Sequence, residues 1–310
     1  MLVVSNYHYI RENFNSKYPS IFGVTPKSFN EQLLEFKNYG DFIGPTSLLE
    51  NLDYILNSKD KFFLVTFDDG LKEQFVFGHS ILDELGIEGL FFVNSSNIET
   101  KKINLVHKIH ILRSLVSSKD LLDIFSKNKK FLLSKEEQQV AIKTYIYDCK
   151  EDAVIKYLLN FKLTHLELEQ FFSKFYNNFI DEEKIFEELY MSFDEIKTLA
   201  RNNQIGSHTH SHYPIAQLSE NEIKFELEYS KKIIEDLTNT KVDFLSYPYG
   251  TKKACNEQVS QEAKNSGYKI GFTTNRGVNN GTNKNLLLLN RFDCNDLPKG
   301  KFFKKDNLWK

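Results

Sequence analysis

Short apolar runs that end at turn residues alternate along this chain with segments of helical periodicity, and this alternation restricts the fold more than any other feature. Residues 62–67 (FFLVTF) and 89–93 (GLFFV) are predicted to form buried strands, with a helix between them over about 72–85. Strands that alternate with helices are typical of a parallel sheet covered by helices. We therefore expect an α/β fold with its functional groups at the carboxyl ends of the strands.

The same pattern returns in the last third of the chain. Capping boxes at Ser192 (SFDE) and Ser219 (SENE) predict the starts of two helices, the first of which runs to about Arg201. Four more strands are predicted over residues 204–208, 243–246, 269–274 and 286–289. The Asn- and Gly-rich stretch between the last two strands predicts a surface loop.

Residues 103–189 have a different character, with helical periodicity and neither glycine nor proline. We interpret the chain as a single domain over residues 1–310 with a helical insertion at about 103–189. Three histidines of this segment, His107, His110 and His165, have no partner motif nearby and are expected to be surface or packing residues.

Composition excludes several classes of protein. The 310 residues carry 40 basic and 42 acidic side chains without a lysine-rich run, which disfavours a nucleic-acid partner. No stretch approaches the ~20 apolar residues of a transmembrane segment. The first residues do not resemble a secretory signal, so we expect a cytoplasmic protein. Three cysteines without CxxC spacing indicate neither a disulfide framework nor a thiolate zinc site.

The segment TFDDG (66–70) places two carboxylates, Asp68 and Asp69, directly after a predicted strand. Adjacent side chains diverge at the end of a strand, so one carboxylate could bind a metal while the other acts as a base. The alternative is a turn in which an aspartate caps the following helix.

The segment HTHSH contains His208, His210 and His212. Spacing of four residues on a helical turn favours His208 with His212, whereas spacing of two on a strand favours His208 with His210 or His210 with His212. Two imidazoles and one carboxylate leave open coordination positions, as in catalytic zinc sites. A third segment, LSYPYG (245–250), could present a backbone N–H to a reacting oxygen, although by itself it favours a plain loop.

Together, TFDDG, HTHSH and SYPYG resemble the motifs of the polysaccharide deacetylase family (NodB homology domain, carbohydrate esterase family 4), over about residues 2–98 and 190–297. The resemblance implies a distorted (β/α) barrel with fewer than eight regular strands and a metal-dependent N-deacetylase site. It also implies that Asp69, His208 and His212 bind a divalent metal, usually Zn²⁺. Asp68 would be the general base, and the backbone N–H of Tyr249 would help to hold the oxyanion.

The chain departs from the family pattern at three points. Ser246 replaces the arginine that orients the catalytic aspartate, and we expect Arg291 to take its place; a surface salt bridge is the alternative. The Asp/Trp pair of the fourth motif is not visible in residues 271–277. No histidine follows His212 to serve as the acid, so the candidate general acid is His8, in an N-terminal segment that resembles one in poly-N-acetylglucosamine deacetylases. The alternative for His8 is packing within an N-terminal strand.

These features predict a metal-dependent hydrolase that removes the acyl group from an N-acetylated carbohydrate, with a nucleotide-linked or lipid-linked sugar of surface polysaccharide synthesis as the expected substrate. One alternative is a binding protein on a deacetylase scaffold, because three family features are missing. Another is a glycosyltransferase that holds a nucleotide-sugar through Mn²⁺ or Mg²⁺. That chemistry prefers oxygen ligands, and the histidine cluster argues against it.

Overall fold

The computed structural model describes residues 1–127, 131–145, 148–175 and 181–304. The chain forms two compact units. Unit 1 comprises residues 1–13, 23–102 and 183–310, and unit 2 comprises residues 14–22 and 103–182. The assignment of the whole chain to one domain with an insertion stays a prediction.

A parallel sheet forms the centre of unit 1. Its strands are β1 (Leu2–Tyr7), β2 (Asp41–Phe42), β3 (Phe62–Phe67), β4 (Gly89–Val93), β5 (Ile205–Ser207), β6 (Phe244–Ser246), β7 (Ile270–Phe272) and β8 (Phe292–Asp293). They pair in the order β7-β6-β5-β4-β3-β1-β8, and β2 pairs with the start of β3. Among the described strands β7 and β8 do not pair, so the sheet is an open, curled half-barrel. The predicted distorted (β/α) barrel is confirmed.

Fourteen α-helices occur in the described residues. They are α1 (Pro26–Phe36), α2 (Pro45–Glu50), α3 (Leu52–Asn57), α4 (Ser80–Glu84), α5 (Ser95–Thr100), α6 (Leu105–Leu115), α7 (Ser118–Ser126), α8 (Lys135–Thr144), α9 (Lys150–Tyr157), α10 (His165–Phe175), α11 (Glu182–Leu189), α12 (Phe193–Arg201), α13 (Glu220–Thr238) and α14 (Glu257–Asn265). The capping boxes predicted at Ser192 and Ser219 are both present. No helix of the described residues is long and apolar enough to cross a membrane.

Two local predictions differ from the structure. The segment after TFDDG begins as a π-helical turn, Gln74–His79, before α4 starts. The strand predicted over 286–289 is wrong, because only Leu289 bridges to β7. Asn285 explains the difference: its Oδ1 accepts the N–H of Leu287 at 3.0 Å, which stabilises a turn where the apolar run suggested a strand.

The alternation of side chains along the strands brings polar groups to one end of the sheet. Leu64 on β3 belongs to an apolar cluster on one face of the sheet. Thr66 and Asp68 follow Leu64 on that face, because side chains two residues apart along a strand point to the same side of the sheet. Asn6 on β1 and Ser246 on β6 are buried polar residues near the ends of two other strands of the sheet. A polar layer at the carboxyl ends of the strands therefore lies next to an apolar one.

Unit 2 has a small aromatic core of its own. Phe125 and Phe171 stack with ring centroids 4.3 Å apart. His107 is buried with its ring 6.3 Å from that of His110, and His165 lies 3.8 Å from Glu169. His107 is buried and the other two are half-buried, and their role as surface or packing residues stays a prediction.

Candidate active site

Asp68 follows β3 directly, and its carboxylate makes a buried two-point contact with Arg291. Arg291 Nη1 donates to Asp68 Oδ1 at 2.8 Å, and Nη2 donates to Oδ2 at 2.7 Å. The side chains are 1% and 3% exposed, respectively, which excludes a surface salt bridge. A bidentate contact fixes the plane of the carboxylate as well as its distance. Arg291 is therefore located where it can orient Asp68.

Polar atoms from other strands and loops hold the remainder of the Arg291 guanidinium. Its Nε donates to the carbonyl of Thr273 at 2.9 Å, Nη1 donates to Asn6 Oδ1 at 3.0 Å, and Nη2 donates to Ser246 Oγ at 2.9 Å. Ser246 is the residue for which the resemblance to polysaccharide deacetylases implies an arginine. Its hydroxyl accepts a hydrogen bond from an arginine that another part of the chain supplies.

The charge of Arg291 determines the ionisation of Asp68. Burial by itself would raise the pKa of Asp68, but the positive charge and the hydrogen bonds of Arg291 hold that pKa well below its ordinary value. Asp68 is therefore a carboxylate at neutral pH and can accept a proton or a hydrogen bond.

Three possible metal ligands converge beside this pair: Asp69 after β3, and His208 and His212 after β5. His208 Nε2 lies 3.4 Å from Asp69 Oδ1, and His212 Nε2 lies 3.2 Å from the same oxygen. The three ligand atoms lie within 4.8 Å of one another, and all three residues are buried. Ligands about 2.0–2.2 Å from a tetrahedral ion lie roughly 3.3–3.6 Å apart, so separations of 3.4 Å and 3.2 Å suit one small cation.

The protonation of His208 also fits a cation at this position. Its Nδ1 is 2.8 Å from the carbonyl oxygen of Ser246. A carbonyl only accepts, so Nδ1 carries the proton, and in the neutral ring the lone pair is on Nε2, which faces Asp69. Burial by itself would lower the pKa of His208, but the negative charges of Asp68 and Asp69 raise it above its ordinary value. The surroundings of Nε2 therefore favour positive charge, as a bound divalent metal would supply.

The backbone conformation of the HTHSH segment determines which two of its three histidines lie beside Asp69. Thr209 and His212 have left-handed backbones, with φ of 61° and 58°. This conformation is uncommon for residues other than glycine, and most of all for a β-branched residue such as threonine. The resulting turn brings His208 and His212 to Asp69. His210 instead has its Nδ1 2.8 Å from Ser95 Oγ.

Left-handed backbones are concentrated at this site. Among the described residues, eight other than glycine have positive φ, and four of these belong to the three motifs: Asp69, Thr209, His212 and Tyr249. Such conformations cost on the order of 1–3 kcal/mol each and persist where the surrounding structure holds them. Half of these left-handed residues therefore lie in the three motifs identified from the sequence.

His8 lies next to Asp68 because β1 and β3 are parallel neighbours. Their register pairs Tyr7 with Phe67, so the residues that follow both strands are adjacent. His8 Nε2 is 3.9 Å from Asp68 Oδ2, and its side chain is 39% exposed. This placement excludes packing within the strand, which ends at Tyr7.

Tyr249 lies in the turn after β6, with φ of 62°. Its ring contacts that of His212 edge-on at 5.2 Å, and its carbonyl accepts from Thr274 Oγ1 at 2.9 Å. Gly250 completes the turn with φ of 56°, and a Cβ there would lie 2.5 Å from Thr274 N. Among the described residues, none accepts a hydrogen bond from the Tyr249 N–H. That N–H is therefore available to an oxygen of a substrate.

Two buried amides at the site were missed by the sequence analysis. Gln74 Nε2 donates to the carbonyls of His8 at 2.9 Å and Asp68 at 2.5 Å, which ties together the ends of β1 and β3. Asn94 Nδ2 donates to the carbonyl of His208. Both side chains act on backbone atoms, for which one sequence carries no motif. Gln74 opens a π-helical turn, an element frequent at functional sites, but this turn is visible only in the structure.

Comparison with known proteins finds a family model that matches part of this chain. The family model described as polysaccharide deacetylase matches residues 176–271 of this chain, a range that includes HTHSH and SYPYG. The resemblance to polysaccharide deacetylases is confirmed. A comparison with curated protein sequences finds no match.

Several solved structures have a fold similar to that of this chain. The Streptococcus pyogenes deacetylase PplD, in complex with acetate, is 18% identical over 96% of this chain and 92% of its own, with a TM-score of 0.59. IcaB from Ammonifex degensii is 17% identical over 96% of this chain and 94% of its own, with a TM-score of 0.56. The BpsB deacetylase domain from Bordetella bronchiseptica is 14% identical over 94% of both chains, with a TM-score of 0.54. The family model supports a carbohydrate deacetylase, and the solved structures show that the fold is shared.

Proposed function

We propose that this chain is a metal-dependent N-deacetylase that hydrolyses the amide of an N-acetylated sugar. The observation that carries the proposal is the buried Asp69, His208 and His212 cluster beside the Asp68 carboxylate. Two imidazoles and one carboxylate hold a metal and leave a position open for a substrate or water. The donor set suits Zn²⁺, which we propose as the ion in use.

Each residue has a chemical task in this proposal. A divalent cation, when bound, acts as a Lewis acid that brings the pKa of water at its open position from ~15.7 toward ~7. Asp68 accepts the proton of the attacking water, and Arg291 holds Asp68 in the required orientation. The Tyr249 N–H donates to the oxyanion that forms at the amide carbon, a contact worth roughly 3–4 kcal/mol. His8 donates a proton to the departing amine.

The substrate and the location of the protein belong to the proposal as well. Acetate, present in the PplD structure, is the product that hydrolysis of an N-acetyl group would release. We propose a nucleotide-linked or lipid-linked N-acetylated sugar as the substrate and a cytoplasmic location for the protein.

The purified protein is expected to release acetate from a panel of N-acetylated sugars, with activity lost on chelation and restored by Zn²⁺. Asp68→Asn is expected to lower the rate by about 10²–10⁴-fold, because the general base is lost while the metal ligands stay. Acetate release is measured by a coupled assay, and metal content by elemental analysis.

Other outcomes would contradict the proposal. Zinc bound without turnover on the whole panel would favour a binding protein on this scaffold. Metal binding that depends on a uridine diphosphate would favour the glycosyltransferase. Full activity of Asp68→Asn would remove Asp68 from the mechanism.

His8→Phe is expected to slow amide hydrolysis by about 10²–10⁴-fold while leaving hydrolysis of 4-nitrophenyl acetate largely unchanged. An amine leaves only after protonation, whereas a nitrophenolate leaves without a proton. Comparing kcat on the amide with kcat on the ester, in the same protein preparation, therefore isolates the acid step. Equal losses on both substrates would show that His8 does not serve as the acid.

A further inference from the structure

Glu226 is a buried acidic residue on α13 that contacts the histidine segment. It is 3% exposed. Its Oε2 accepts the backbone N–H of His210 at 2.9 Å and the backbone N–H of Ser211 at 2.8 Å. These two residues lie between His208 and His212, so one carboxylate oxygen holds the middle of the connection between two proposed metal ligands.

A second residue of α13 holds the start of the same segment. Ser230 Oγ lies 2.7 Å from Ser207 Oγ, and Ser207 Oγ accepts the N–H of Thr209 at 3.1 Å. Glu226 and Ser230 are four residues apart and therefore lie on the same face of the helix. One regular 19-residue helix thus contacts the segment on both sides of Thr209.

The backbone of the segment needs such support. Thr209 and His212 have left-handed conformations, and the turn directs successive N–H groups of His210 and Ser211 to one point. A buried N–H without an acceptor loses its solvation without compensation, and hydrogen bonds to a charged acceptor are stronger than neutral ones. Without Glu226, the segment would gain by changing to a conformation in which these N–H groups find other acceptors.

We propose that Glu226 is a positioning residue that holds the His208–His212 turn in its ligand-binding conformation, and thereby sets the affinity for the metal. The inference rests on the proposed metal-dependent function, since it assumes that these histidines bind an ion. Glu226 acts through the backbone of the turn and contacts neither proposed ligand side chain in the hydrogen bonds described above. Groups of this kind around a metal site typically change affinity by about 10–100-fold.

The test compares two conservative substitutions. Glu226→Gln keeps an oxygen at the same reach but loses the charge, so it is expected to weaken Zn²⁺ binding much less than Glu226→Asp does. Glu226→Asp keeps the charge but withdraws the oxygen by about one bond length, ~1.5 Å, so it is expected to bind about 10–100-fold more weakly. Glu228→Gln, at an exposed position of the same helix, is the matched control. Affinity is measured by calorimetry on chelator-treated protein, below the melting temperature of every variant.

The outcomes separate this inference from the proposed function. Parental affinity in Glu226→Asp, or equal weakening in Glu226→Gln and Glu226→Asp, would overturn the role of Glu226. An equal loss in Glu228→Gln would also overturn it, because the effect would then be general to the helix. A parent chain that binds no divalent metal would overturn the metal site itself and this inference with it.

Discussion

His208→Ala and His212→Ala are each expected to abolish zinc-dependent amide hydrolysis, whereas His210→Ala is expected to retain bound metal. His208 and His212 point their Nε2 atoms at the same oxygen of Asp69, at 3.4 Å and 3.2 Å. The His210 ring is directed at Ser95 instead. Loss of one of three protein ligands is expected to weaken zinc binding by more than the roughly 100-fold reached when supporting groups are lost.

The three variants are matched, because each removes one imidazole from the same five-residue segment. Zinc content after dialysis, zinc affinity by calorimetry and acetate release are measured on all three. Zinc retained by His208→Ala with full turnover would refute the ligand assignment. Loss of zinc from His210→Ala to the same extent would show that the whole segment, and not the two ligands, determines binding.

The histidine segment shows what sequence spacing could and could not predict. The spacing left three pairs of histidines open, because helix and strand periodicities favour different pairs. The segment adopts neither periodicity, since Thr209 and His212 have left-handed backbones. The resemblance to deacetylases selected His208 and His212, and the structure brings that pair to Asp69. Their role as ligands is what the three variants test.

Prediction was most successful where the signal is local. Strands β3 and β4 have the predicted bounds, because each is a continuous apolar run that ends at turn residues. The prediction of a strand over residues 286–289 was wrong for a local reason as well. The Asn285 side chain stabilises a turn there, and a hydropathy pattern does not reveal such a turn. Apolar runs predict burial more reliably than they predict backbone conformation.

Contacts between distant residues were harder to predict. Arg291 and Asp68 are 223 positions apart, and only the serine at position 246, where the resemblance implies an arginine, suggested the pair. Gln74 and Glu226 carried no such hint, because both bind backbone atoms and any residue type could lie opposite them. Supporting groups of this kind become visible only when the fold brings their partners together.

Arg291→Leu is expected to destabilise the protein by about 3–5 kcal/mol at pH 7 and to reduce turnover sharply. The arginine and Asp68 are both buried, so the substitution leaves an uncompensated carboxylate in the interior. Turnover falls because Asp68 loses the two hydrogen bonds that fix its orientation. Urea midpoints of chelator-treated protein give the stability, and acetate release gives the turnover.

The pH dependence of the stability loss in Arg291→Leu distinguishes an unpaired Asp68 charge from a simple loss of packing. In the parent, Arg291 holds the pKa of Asp68 below its unfolded value of ~3.9, so the pair's contribution to stability is complete above that value and is lost as the pH falls below it. In Arg291→Leu, burial without the cation raises the pKa of Asp68. As the pH falls, Asp68 becomes protonated and neutral, and the folded variant is no longer destabilised by a buried charge. The stability difference between parent and variant is therefore expected to shrink as the pH falls from 7 to 4.

Asp68→Asn in the Arg291→Leu background supplies the control. Removing the unpaired Asp68 carboxylate is expected to restore much of the lost stability at pH 7. Replacing both partners of a buried ion pair costs far less stability than removing one of them. Turnover is not expected to return, because the proposed base is absent. A stability difference that is constant between pH 4 and 7, with no recovery in the double variant, would mean that Arg291 contributes through packing and not through the charge of Asp68.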